Sequence, residues 1–127
     1  MQGKHLFEYA IIRVVPRVER EEFLNIGVIL YCKKENFLQV KYLLHEERLQ
    51  CFFGYIDIAE VKQHLSSFER ICAGDEAAGP IGKLDMASRF RWLTATRSTV
   101  VQASKVHPGF CTDALETLNR IFEQLVA

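Results

Sequence analysis

Residues 89–99 of this 127-residue chain read RFRWLTATRST, a stretch that crowds three arginines and several hydroxyls around one tryptophan. In an extended conformation Arg89 and Arg91 share a face, and Arg97, Ser98 and Thr99 follow a turn. Guanidinium forks beside hydroxyl and backbone donors make a cradle for an oxyanion or a carboxylate. The competing reading pairs the same arginines with Glu or Asp on neighbouring helices, the commoner fate of surface cations. Trp92 beside Arg91 has the make-up of a base-stacking platform, yet a single tryptophan in a chain of zero net charge fits a core anchor better.

Two further positions carry acid–base chemistry in principle. His107 follows Gln102 and Ser104 and precedes Pro108 and Gly109, where it is either a proton-transfer group near the arginines or a brace for a loop. Glu22 stands just before a strand whose apolar run is broken by Asn25 and Gly27. A strand Asn must find partners, and a strand Gly marks a bulge or a close approach. Glu22 and His107 are therefore the catalytic candidates, and Arg89, Arg91, Arg97, Ser98, Asn25 and Gln102 the binding set. The alternative is that Asn25 satisfies a loop backbone while Gly27 makes room for Trp92 or Phe90. No GxSxG or SxxK motif is present, and residues 79–83 (GPIGK) lack the glycine spacing of a phosphate loop.

Metal and cofactor sites are not expected. Cys32, Cys51, Cys72 and Cys111 occur singly, without a CxxC pair, and read as small buried hydrophobes. A structural zinc normally draws two ligands from one tight turn, and the pair His107 and Cys111 has no partner pair.

Composition narrows the class of protein. Sixteen basic residues balance sixteen acidic ones, so no global field steers the chain to nucleic acid or anionic lipid. Hydrophobic residues at 49% and charged residues at 25% describe a globular domain. No apolar run reaches the ~20 residues of a membrane span, and residues 1–5 carry no signal-peptide core. The expectation is one cytoplasmic domain over residues 1–127, without internal repeats.

The elements that must position these side chains follow from periodicity. Residues 7–15 (FEYAIIRVV) form a strand with Phe7, Tyr9 and Ile11 on one face, stopped by Pro16; residues 16–22 are an exposed connection. Residues 23–32 form a central strand with Leu24, Ile26, Val28, Leu30 and Cys32 on one apolar face. A polar turn at 33–36 leads into a third strand at 37–44, completing an antiparallel hairpin. A short helix near Leu49, Phe52 and Phe53 stops at Gly54. A longer helix starts from Asp57 and Glu60, buries Ile58, Val61, Leu65, Phe68 and Cys72, and ends by Gly74. Residues 73–85 read as a mobile loop, because 73–82 holds three of the seven glycines. Residues 89–102 predict one or two strands, 106–109 a turn, and 112–126 a helix with Leu115, Leu118, Phe122 and Leu125 inward. The fold class is α+β: a mainly antiparallel sheet with helices packed on one side.

Two blocks of sequence, YAIIRVVPRVEREEFLNIGVIL and RFRWLTATRSTVVQASKVHPGFCTDALETL, resemble the motif blocks of a bacterial family catalogued as domain of unknown function 3037. The pattern falls on Arg13, Pro16, Glu22, Asn25, Gly27, Arg89, Trp92, Arg97, Ser98, Gln102, Ser104, His107 and Gly109. The resemblance implies a bacterial cytosolic protein, often encoded beside a kinase-like protein similar to the persistence-associated toxin kinases. It brings no reaction with it. Three functional readings remain open: an accessory or interaction module that holds an anion or an acidic partner segment; an enzyme of phosphate or nucleotide chemistry using the Arg, His and Glu residues; and a structural homodimer built on a strand edge or on Phe52 and Phe53.

Overall fold

The computed structural model describes residues 4–16, 22–54, 56–95 and 99–126. Strands β1 (His5–Val14), β2 (Leu24–Cys32) and β3 (Phe37–Tyr42) come first, followed by helices α1 (Glu46–Phe52) and α2 (Ile58–Ala73). A 3-10 segment (Glu76–Lys83) leads into α3 (Met86–Thr94), strands β4 (Val101–Ala103) and β5 (His107–Cys111), and helix α4 (Ala114–Leu125). All strand pairs are antiparallel, in the order β3-β2-β1-β4, with β5 also paired to β1. The α+β class is as expected, and among the described residues no helix is long and apolar enough to cross a membrane.

β1 is the central strand because it alternates large apolar side chains on both faces. Ile12 and Val14 enter one core with Leu49, Val61, Leu65, Phe68, Phe90 and Leu93. Phe7 and Ile11 enter the other with Leu118, Ile121 and Phe122. Helices thus cover both faces, α4 on one and α1, α2 and α3 on the other, which corrects the one-sided arrangement. A strand apolar on both sides must be covered twice, since either exposed face would leave several large side chains in water.

β4 and β5 lie end to end along the free edge of β1, opposite Ile12–Val14 and His5–Tyr9 respectively. Buried Ser104 joins them: its Oγ accepts from Ile11 N at 2.8 Å and donates to the Lys105 carbonyl, while its own N–H donates to Ile11 O at 2.8 Å. β5 corrects the expected turn at 106–109. Pro108 is tolerated there because the strand is an edge, and Gly109 is required because a Cβ would stand 2.6 Å from the Phe7 ring.

The largest correction concerns residues 89–94, expected as strand, which belong to helix α3. Asp85 accepts from Ser88 N at 2.7 Å as N-cap, and Met86, Phe90 and Leu93 recur at the helical spacing that carries them to the core. Trp92 lies on the outer side at 45% exposure, so it is not a core anchor. The glycine-rich stretch before α3 is also structured: Asp75 accepts from Ala77 N, and Ala78 and Ile81 pack against the α2 core. In α4 the buried stripe is Ala114, Thr117, Leu118, Ile121 and Phe122, with Leu115 and Leu125 outside. The α2 boundaries follow the expected caps, Asp57 accepting from Glu60 N and Gly74 closing the helix at φ 69°.

Candidate functional site

A β-bulge determines which polar side chains meet. Ile12 faces Gly27 but Arg13 faces Asn25, so Ile26 is an extra residue in β2. Leu24 and Ile26 consequently turn to the α2 side, while Val28, Leu30 and Cys32 face α4, and the single apolar face expected for β2 is split. The same shift re-aims Asn25 to the α4 side, the usual effect of a bulge on its neighbours. Gly27 accommodates neither Trp92 nor Phe90: a Cβ there would lie 2.8 Å from both the Lys41 carbonyl oxygen and Tyr42 Cβ on β3.

Asn25, Arg13 and Gln102 therefore form one row across β2, β1 and β4. Asn25 Nδ2 donates to Leu125 O at 3.4 Å at the end of α4, and Gln102 Nε2 donates to Thr99 O at 2.9 Å. The Arg13 guanidinium lies 4.2 Å from the Phe23 ring centroid, a cation–π contact. Arg13 Nε and Asn25 Oδ1 are buried without a hydrogen-bond partner among the described residues. Arg97 and Ser98 of the binding set lie outside the described residues.

A second polar concentration lies on the α3 side, at the other end of β1. Lys4, His5, Leu6 and Glu8 of β1 and its approach, Tyr31, Lys33 and Lys34 of β2 and its turn, and Ala87 and Arg91 of α3 line a depression of about 410 Å³. Lys4, Lys33, Lys34 and Arg91 oppose one carboxylate, Glu8. Two of the cations are fixed by backbone geometry: the tight turn after Cys32 closes with Asn36 N donating to Lys33 O at 3.1 Å, and Asn36 takes φ 51°. Asparagine tolerates that left-handed conformation better than most side chains. Tyr31 stacks on Phe90 with centroids 5.4 Å apart, and burial, then the Glu8 and Asp85 carboxylates, hold its phenol above the ordinary value. The hydroxyl thus remains a donor facing a basic wall.

The remaining candidates are dispersed. Arg89 turns inward, its Nη1 donating to the Ile71 and Cys72 carbonyls at 2.9 and 2.8 Å and its Nε to Leu84 O at 3.1 Å. It braces the C-terminal end of α2. His107 is exposed on β5, its ring 5.3 Å from that of Tyr9. Tyr9 precedes Arg13 by four strand residues, which separates His107 from Gln102 by about 13 Å along β1. Glu22 is exposed at the entrance to β2, near the Asn25 row, whereas Arg91 belongs to the depression on the opposite face of the sheet. Lys4, His5, Lys33 and Lys34 were not singled out from sequence; their only sequence signal is a polar turn and an N-terminal approach, neither of which announces a cavity.

The motif positions now have structural meanings: Gly27 and Gly109 permit close approach, Ser104 bridges two strands, Arg89 ties α2 to α3, and Arg13, Asn25 and Gln102 share a row. No curated protein and no solved structure matches the chain. Residues 9–126 match the family described as Protein of unknown function (DUF3037), and the chain belongs to that family.

Proposed function

We propose that the chain is an interaction module that holds a phosphate or carboxylate group of a partner in the basic depression beside α3. One observation carries this reading: Lys4, Lys33, Lys34 and Arg91 line a 410 Å³ concavity in which Glu8 is the single acidic side chain among the described residues. In a chain with no net charge, such a concentration is local and creates a field that global composition conceals. Arg91 supplies a fork for two oxygens, the lysines supply point charges, and the Tyr31 phenol adds a neutral donor. The family resemblance makes a kinase-like cytoplasmic protein the first partner to test.

Binding of inorganic phosphate, ATP and a phosphoserine peptide, followed by calorimetry and thermal shift, tests the reading. Lys33→Glu combined with Arg91→Glu should weaken the best of these at least tenfold, and added salt should weaken the wild type in the same sense. Binding that survives the double substitution unchanged, or no binding at millimolar ligand, would end it.

A homodimer reading has its own observation. Leu6 and Phe110 are cross-strand partners on the β1–β5 edge and are 52% and 69% exposed, an apolar pair that a second copy would cover. Phe53, named from sequence for the same role, is buried instead. Light scattering of wild type and Phe110→Glu distinguishes a dimer through this edge from a monomer.

A further inference from the structure

Three potential metal ligands cluster where the β2–β3 turn meets β5, and His5 at the start of β1 approaches one of them. Cys32 Sγ, Cys111 Sγ and a carboxylate oxygen of Glu35 lie within 4.8 Å of one another. Each thiol is 3.8 Å from Glu35 Oε2, and His5 Nε2 is 3.8 Å from that same oxygen. His5 and Cys111 are cross-strand partners, so their side chains leave the sheet on the same side. We propose that His5, Cys32, Glu35 and Cys111 form a zinc site that ties the start of β1, the hairpin turn and the end of β5 together. The site adjoins the basic depression, which His5, Lys33 and Lys34 also line, but its donors do not require an anion to be bound there.

Coordination geometry supports it. With Zn–S near 2.3 Å and Zn–N or Zn–O near 2.0–2.1 Å, the edges of a tetrahedron span roughly 3.3–3.8 Å. The three separations around Glu35 stand at the upper end of that range, and His5, which lies outside the mutual cluster of the other three, completes the shell by turning its ring inward. Two sulfurs, one imidazole and one carboxylate are the mixed donor set that zinc accepts and that calcium or magnesium does not.

The surroundings suit the ion as well. Both Glu35 oxygens accept from Ala114 N, at 3.1 and 3.0 Å, which orients the carboxylate while leaving it lone pairs for a metal. Two thiolates and a carboxylate outweigh a divalent cation by one negative charge, and Lys33 and Lys34 stand in the same turn to offset it. The sulfurs are buried, but the His5 and Glu35 side chains are 24% and 27% exposed and provide an access route for the ion.

Cobalt(II) and zinc(II) titrations of the reduced full chain test the proposal. One equivalent should bind, with a thiolate-to-cobalt charge-transfer band and release of protons, and zinc should raise the melting temperature. Cys111→Ser should remove the band's two-sulfur character, and His5→Ala, with retained folding checked by circular dichroism, should weaken zinc by about tenfold or more. Exposed Cys51 should react with a thiol reagent with or without zinc, whereas zinc should shield Cys32 and Cys111. Absence of stoichiometric binding, or binding unaltered by both substitutions, overturns the proposal and leaves Glu35 as a helix cap beside two ordinary buried thiols.

Discussion

Arg89 and Arg91 are two residues apart, yet the structure gives them opposite work, and replacing each by Met separates the two roles. Arg89 makes three hydrogen bonds to main-chain carbonyls, two of them at the C-terminal end of α2 and one at the approach to α3. A hydrogen bond to a charged group contributes about 1.5–3 kcal/mol when its partner would otherwise be left unsatisfied. Water can reach part of this half-buried group, which reduces the total, whereas a cation at a helix C-terminus adds about 0.3–1 kcal/mol. Arg89→Met should therefore destabilise by about 3 kcal/mol, and Arg89→Lys, which keeps the charge but loses the fork, by about half as much. For a urea m-value of about 1.5 kcal/mol/M, the Met variant's midpoint falls by about 2 M. Arg91→Met, on the exposed side of α3, should leave the midpoint within about 0.3 M and lose phosphate binding instead. If Arg89→Met unfolds at the wild-type midpoint, or abolishes anion binding without changing stability, Arg89 and Arg91 do not divide their roles in this way.

Two further outcomes follow from local geometry. Gly27→Ala places a methyl 2.8 Å from the Lys41 carbonyl oxygen and Tyr42 Cβ, so β3 must yield; a loss of about 1–3 kcal/mol is expected in chemical denaturation, and a neutral result would mean that β3 shifts freely. At Asp85 the backbone hydrogen bond from Ser88, then its side chain, lowers the carboxyl below its ordinary value. The folded-state value lies below the unfolded one, so the carboxylate's contribution is complete above about pH 4 and is lost as the pH falls through the folded value. Asp85→Asn should retain the cap yet show a smaller drop in urea midpoint between pH 7 and pH 3; equal drops would refute the assignment.

Much of the framework was legible in the linear order. Alternation located β1, β2 and β3, the polar turn between Cys32 and Phe37 located their hairpin, and Asp57, Glu60 and Gly74 marked the ends of α2. Residues 89–94 have the aromatic content of a strand, but Asp85 and Ser88, a cap three residues apart, and the i, i+4, i+7 spacing of Met86, Phe90 and Leu93 make them part of a helix. The α4 stripe was misplaced because both Ala114 and Leu115 suit a core, and only Glu35, reaching Ala114 N from the hairpin turn, shows which faces inward.

What the sequence determined alone is what neighbours along the chain decide: strand period, turns, several caps, a globular composition of zero net charge and the family of motif residues. Tertiary structure decided everything that depends on separation in space. The extra residue Ile26 re-aims Asn25 towards Arg13, and β5 carries Cys111 back to Cys32 across 79 positions. The basic depression likewise draws Lys4, Lys33 and Arg91 from three distant segments. Local patterns record torsional preference and amphipathicity over a few residues, whereas a site is a set of distances, and those arise only when β1 is paired on both edges and covered on both faces.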